Sequence, residues 1–92
     1  MNSKRPLQKD GVLSRKVGDE WVLYDSEKGS IHVINSMAEF VWRMCDGSHD
    51  LNNIEDHVRG AFLVPDETNL RKDVEGIIHT FANMGILFYE KV

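Results

Sequence analysis

Cysteine is almost absent from this 92-residue chain, and long apolar segments are absent altogether. The single Cys45 allows no internal disulfide and no cysteine-based zinc cluster, as is typical of proteins in a reducing cytosol. The longest stretch without a formal charge covers 14 residues, 76–89. A membrane-spanning helix needs about 20 apolar residues, so none is predicted. The first residues lack the apolar core of a signal peptide, and we therefore expect a cytoplasmic location.

Basic side chains are scarce beyond the first part of the chain. Residues 1–16 carry five basic residues and one acidic residue, whereas the rest carries six basic and fourteen acidic residues. Nucleic-acid binding needs clustered lysine and arginine, so this acidic body argues against DNA or RNA as the main partner. The length fits one domain with a small core. We expect residues 1–10 to form a mobile basic arm and residues 11–92 to form that domain.

Three short segments have the composition of β-strands. They cover residues 12–17, 20–25 and 30–34, and the last two are rich in aromatic and β-branched side chains. Gly18-Asp19 fits a two-residue hairpin turn, and residues 26–29 fit a longer turn that ends in glycine. The segments therefore predict a three-stranded antiparallel meander. Near the end of the chain, Ile86 to Tyr89 are expected to form a short final strand or a packed tail.

Three helices are predicted after the strands, because the apolar period changes from 2 to 3.6. Ser36 and Glu39 could form a capping box at the start of the first helix, and Asn35 is a competing cap. Asp50 is the expected N-cap of the second helix. The apolar stripes consist of Met37, Phe40, Val41, Met44 and Cys45, then Leu51, Ile54, Val58, Ala61 and Phe62, and then Leu70, Val74, Ile77, Ile78, Phe81 and Met84. Strands followed by helices indicate an α+β, winged-helix-like fold and exclude a parallel Rossmann-type sheet.

Signals of catalysis are weak. The sequence has no nucleophile-elbow serine motif, no phosphate-binding glycine loop and no zinc-protease motif. Cys45 lies on an apolar helix stripe, which favours a buried, inert thiol. Glu75 and His79 have helical i, i+4 spacing, but no third metal ligand lies nearby in the sequence. Trp42 lies off its helix stripe and either packs against the sheet or contacts a partner. We expect a protein that is not an enzyme and needs no cofactor or metal.

The third predicted strand has a poorly defended edge. Residues 30–34 contain neither proline nor a formal charge, the two devices that usually keep an edge strand from pairing with another chain. Such an edge is either a hazard or a site for strand addition. Both faces of the small sheet are also partly apolar, so one face is expected to cover the helices and the other to be covered by the tail or exposed.

Residues 33–47, VINSMAEFVWRMCDG, resemble the corresponding part of PqqD-like proteins. In that family an apolar pair precedes asparagine, a small residue follows three positions later, and the helix ends in Asp-Gly. Further similarities are Asp50 before Leu51 and Ile54, Asp73-Val74 before the third apolar helix, and the closing sequence Met84-Gly85-Ile86-Leu87. The resemblance covers about residues 12–89 and depends on the order and spacing of these segments.

The resemblance implies a non-catalytic recognition element for ribosomally made, modified peptides. Such a domain binds the leader of a precursor peptide as an added strand and presents it to a modifying enzyme, often a radical S-adenosylmethionine protein of the SPASM type. A winged-helix DNA-binding regulator is the alternative, and a homodimer formed through the open edge is also possible. Carried over to this chain, the peptide-binding residues are Ser30, Ile31, His32, Val33 and Ile34 on the strand, with Leu70, Arg71, Val74 and Ile78 on the groove wall.

Overall fold

The computed structural model describes residues 4–65 and 67–91. The elements in chain order are β1 (Lys4–Gln8), β2 (Val12–Val17), β3 (Glu20–Asp25), β4 (Ser30–Ile34), α1 (Ser36–Met44), α2 (Leu51–Ala61), α3 (Leu70–Asn83) and β5 (Leu87–Lys91). Strands β2, β3 and β4 form an antiparallel sheet in that order, and β1 pairs with β5 in a separate two-stranded sheet. The predicted α+β fold, a three-stranded meander followed by three helices, is confirmed.

The meander is shaped by its two turns. Gly18 occupies the first position of the two-residue turn between Val17 and Glu20. Its φ is 62°, a value that residues with a side chain rarely adopt. At the second turn the Asp25 carboxylate accepts hydrogen bonds from the backbone N–H groups of Glu27, at 3.0 Å, and Lys28, at 3.3 Å. These contacts order the turn that leads into β4.

The amino-terminal segment forms a strand that the sequence pattern did not predict. Of the residues expected to form a mobile arm, 1–3 lie outside the described residues, and Lys4–Gln8 is β1, paired with β5 from Lys4 opposite Lys91 to Gln8 opposite Leu87. Pro6 is fully buried, and its carbonyl accepts a hydrogen bond from the Gly47 N–H at 3.0 Å. The segment is ordered because its backbone pairs with residues far along the chain, which its own polar composition does not reveal.

The helix starts agree in part with the predicted caps. Asn35, not Ser36, caps α1, and its side-chain oxygen accepts a hydrogen bond from the Ala38 N–H at 2.8 Å. The Glu39 side chain does not complete a capping box. It is buried and forms an ion pair of 2.9 Å with Arg43. At α2 the predicted Asp50 cap is confirmed, with a reciprocal capping box completed by Asn53.

The core lies between the inner face of the β2–β3–β4 sheet and the three helices. Trp42 is 2% exposed and packs edge-to-face on Phe81 with ring centroids 5.3 Å apart, so it is a core residue and not a contact surface. Leu23 of β3 is fully buried, and Ile34 of β4 packs against the same cluster. The fully or almost fully buried apolar residues are Leu23, Val41, Trp42, Cys45, Ile54, Val58, Leu70, Val74, Ile78, Phe81, Ile86 and Leu87. None of the described helices is long and apolar enough to cross a membrane.

Candidate functional site: the open edge of β4

The three-stranded sheet has two outer strands, and they differ in charge. Within residues 4–65 and 67–91, β2 and β4 each pair with β3 only. Strand β2 carries Arg15 and Lys16, which hinder the approach of another strand, whereas β4 carries no formal charge. The edge of β4 therefore hinders the approach of an added strand less than the edge of β2 does.

The hydrogen-bond phase of the sheet identifies the backbone groups at this edge. Along an antiparallel pair of strands, hydrogen-bonded residue pairs alternate with pairs that are not hydrogen-bonded. The two-residue turn makes Val17 and Glu20 a hydrogen-bonded pair. The bond of 3.0 Å from the Ser26 N–H to the Gly11 carbonyl, three alternations further along, agrees with this assignment. Even-numbered residues of β3 therefore face β2, and odd-numbered residues face β4. Because Leu23 lies opposite His32, the even-numbered residues of β4 bond to β3.

Ile31 and Val33 consequently direct their N–H and C=O groups away from β3, towards the open edge. Only these two of the five predicted strand residues offer backbone donors and acceptors to a new strand. Their side chains lie on the outer face of the sheet and are 64% and 59% exposed. The other three residues, Ser30, His32 and Ile34, point inward and are half-buried.

The outer face of the sheet is exposed and mostly apolar, with Arg15 and Glu20 as its charged members. Leu13, Tyr24 and Ile31 form a row across the three strands, and they are 63%, 39% and 64% exposed. Val33 lies in the next row, and Val17 is 56% exposed at the turn end of β2. The carboxy-terminal segment does not cover this face, because it forms β5 beside β1.

The predicted groove wall on α3 is only partly accessible. Leu70, Val74 and Ile78 are between 0% and 2% exposed and belong to the core. The structure therefore brings the β4 residues together on one edge but covers these three side chains with α3's own packing partners. Contact between them and a peptide requires a local opening of that packing.

Arg71 is already engaged by α2. Its Nε donates to the Glu55 Oε1 at 3.0 Å, and its Nη2 donates to the side-chain oxygen of Asn52. The Arg71 hydrogen bond, helped by that of Arg59, lowers the pKa of Glu55 below its usual range. A peptide carboxylate could bind Arg71 only by sharing it with Glu55 or displacing Glu55. Sequence reasoning missed this pairing because Glu55 lies 16 residues away, on another helix.

The remaining reactive groups are not arranged for catalysis in the described part of the chain. Burial raises the pKa of the Cys45 thiol to about 12, so the thiol is protonated at neutral pH and is a poor nucleophile. Glu75 and His79 are both exposed on α3. No group of three or more potential metal-ligating side chains lies close together among the described residues.

The fold and the open strand edge define a small α+β, winged-helix-like domain that is suited to strand addition. The family model of coenzyme PQQ synthesis protein D (PqqD) matches residues 20–87, about three quarters of the chain. This chain belongs to the PqqD family. The sequence matches none of the curated proteins with which it was compared.

Two solved structures share the fold. One is described as TbiB1 in complex with the TbiA(beta) leader peptide; it is 21% identical, has a TM-score of 0.71, and the match covers 88% of this chain and 93% of that one. The other is a lasso peptide synthetase B1 complexed with the leader peptide, 13% identical with a TM-score of 0.74, covering 91% and 98%. At these identities the likeness concerns the fold.

Proposed function

We propose that this protein is a peptide-binding adaptor that takes up the leader of a ribosomally made precursor peptide as an added strand on β4. The observation that carries the proposal is the uncharged open edge at which Ile31 and Val33 hold free backbone donors and acceptors. Membership of the PqqD family and the leader complexes formed by two proteins of the same fold support it.

The edge suits a partner whose sequence varies. Two N–H and two C=O groups from Ile31 and Val33 bind any extended backbone, whereas side-chain contacts choose among peptides. Side chains of the added strand alternate between the outer apolar face and the inner side next to His32. The acidic body of the protein contributes no charge attraction for an acidic leader, so backbone and apolar contacts dominate in this proposal.

The α3 groove remains part of the proposal in a narrower form. Leu70, Val74 and Ile78 would reach the peptide only after the core around them opens, and Arg71 only by giving up part of its contact with Glu55. The β4 edge needs no such change. We therefore assign the first contact with the peptide to β4 and any contact with α3 to a later adjustment.

The adaptor presents the bound peptide to a separate modifying enzyme, for which we propose a radical S-adenosylmethionine protein. A role as presenter and not catalyst is supported by the protonated, buried Cys45 thiol. The DNA-binding alternative is disfavoured by α3, where Asp73 and Glu75 accompany Lys72 and the charge of Arg71 is paired with Glu55. A homodimer through β4 would occupy the same edge and compete with the leader.

Titration with a synthetic leader, followed by backbone-amide NMR, tests the proposal. The leader is taken from a small open reading frame beside the gene for this protein. The amides of Ile31 and Val33 are expected to shift most, because their N–H groups acquire hydrogen bonds. The amide of Ser14, which faces the open edge of β2, is the internal control and is expected to stay in place. A saturating leader that leaves Ile31 and Val33 unmoved contradicts the proposal.

A further inference from the structure

His32 contains an unusual polar atom. Its Nε2 is buried and has no hydrogen-bond partner, and no other buried side-chain nitrogen or oxygen of the described residues is left in this state. Buried polar atoms are nearly always paired, because an unpaired one keeps the full cost of its desolvation. A single exception in a small domain therefore calls for a physical explanation.

The inner face of the sheet supplies no partner for this imidazole. Leu23, directly opposite on β3, is apolar and fully buried. The Asp25 carboxylate, one residue pair away along the inner face, is used by Lys9 at 2.9 Å and by the backbone of the turn. No described strand pairs with the other side of β4, so a new hydrogen-bonding group can approach His32 from there.

An added strand places a side chain at that position. The peptide residue opposite His32 forms a non-hydrogen-bonded pair with it, because the backbone of His32 bonds to β3. In such pairs the two Cβ atoms lie about 4.5–5.5 Å apart and both side chains point to the same face. The χ2 torsion of histidine is soft, so the half-buried ring can turn Nε2 towards the edge.

We propose that His32 is a specificity-determining residue that selects an oxygen-bearing side chain at the inward position of the bound peptide. This inference rests on the proposed function. In the tautomer that carries its proton on Nε2, the ring donates to a hydroxyl, carboxamide or carboxylate oxygen there, whereas an apolar side chain covers the ring and leaves the atom unpaired. A site with a buried polar group discriminates against a ligand that cannot pair with it.

The test is a selection from a phage-displayed library of random 12-residue peptides. The targets are the wild-type protein, His32→Phe, His32→Gln, which keeps hydrogen-bonding capacity, and Val17→Thr as a control change on the outer face of the sheet, on β2 and away from the β4 edge. Wild type, His32→Gln and Val17→Thr are expected to enrich oxygen-bearing side chains at one peptide position. His32→Phe is expected to enrich apolar side chains there.

A Thr→Val change at the selected peptide position then measures the effect. It should weaken binding to the wild type about 2- to 13-fold, the equivalent of one net hydrogen bond, and leave binding to His32→Phe unchanged. Nuclear Overhauser contacts between the peptide threonine and the His32 ring show whether that threonine lies opposite His32 in the added strand. If His32→Phe fails to fold, the Thr→Val ratio and these contacts on the wild type decide the question.

The outcomes separate the two proposals. Equal preference of wild type and His32→Phe, or no contact between the selected residue and the His32 ring, overturns the role of His32 while binding at the edge stands. Selected peptides that leave the amides of Ile31 and Val33 unmoved overturn the proposed function, and the inference with it.

Discussion

Replacing Val33 by proline removes one backbone donor from the open edge without breaking the sheet. The Val33 N–H points away from β3, so Val33→Pro leaves the β3–β4 hydrogen bonds in place. Proline is tolerated on an edge strand when its missing N–H faces outward. The Val33 side chain is 59% exposed on the outer face, so little packing is lost. The substitution should therefore act on peptide binding far more than on folding.

The size of the effect follows from the lost bond. One net backbone hydrogen bond contributes about 0.5–1.5 kcal/mol, which corresponds to a 2- to 13-fold weaker Kd. The proline ring also projects towards the incoming strand and obstructs its approach, so we expect a loss in the upper part of that range, about 10-fold. The free energy of unfolding should fall by only about 1 kcal/mol, the span of strand propensities.

Calorimetric titration with the leader peptide and thermal melting measure the two quantities separately. Ser14→Pro is the matched control, because the Ser14 N–H faces the open edge of β2; it should leave the Kd unchanged. Ile34→Pro is the opposite control, since its N–H bonds to β3 and its side chain packs on the core, so it should destabilise the fold itself. A folded Val33→Pro protein that binds the leader as tightly as wild type would refute the assignment of the edge.

Three further predictions concern the fold around the site. Asp25→Asn should lower the melting temperature, because the buried Asp25 carboxylate forms an ion pair with Lys9. Lys9 lowers the pKa of this carboxyl in the folded protein, so the carboxylate stabilises the fold at pH values above the ordinary pKa of 3.8. This stabilisation is lost as the pH falls through the lower pKa of the folded state, which unfolding measured over an acid pH series detects. Phe81→Ala should cost about 3–5 kcal/mol in denaturant unfolding, because it leaves a cavity beside Trp42. Cys45, with a pKa of about 12, should resist iodoacetamide at pH 8 in the folded protein and react after unfolding, as mass spectrometry detects.

Each of these three predictions can be contradicted by a specific result. A melting temperature of Asp25→Asn that equals that of wild type at neutral pH would show that the turn does not depend on the carboxylate. A loss below about 1 kcal/mol for Phe81→Ala would mean that the core closes around the gap. Alkylation of Cys45 at the rate of a free thiol in the native protein would show that the α1 packing opens readily.

The meander and the helices could be predicted because their signals are local. Gly18 provides the backbone conformation that the first turn requires, and Asp50 provides a cap within three residues of its hydrogen-bond partner. The open edge was likewise visible in the absence of charge from Ser30–Ile34. Strand β1 was not predictable, because its partner lies more than 70 residues away and its own sequence, with three polar residues and one proline among five, has no strand pattern.

The candidate site was harder to predict on α3 than on β4. A helical apolar stripe does not show which of its members lie at a rim and which lie beneath other helices. Leu70, Val74 and Ile78 are covered because α1 and α2 both pack on the stripe that contains them. Arg71 was expected to be available to a ligand, but it pairs with Glu55, and contacts between helices are not encoded in the spacing of either helix.

The pairing of β1 with β5 brings the two ends of the described chain together. Lys4 lies opposite Lys91, and opposed Cα atoms in antiparallel strands are about 4.5–5.5 Å apart. Chains fused before Lys4 or after Lys91 would therefore leave the described part of the domain at neighbouring positions. A short linker could also join the ends, with new termini in the turn between β3 and β4. Such a circular permutant would be a direct way to tether a peptide next to the strand that we propose it joins.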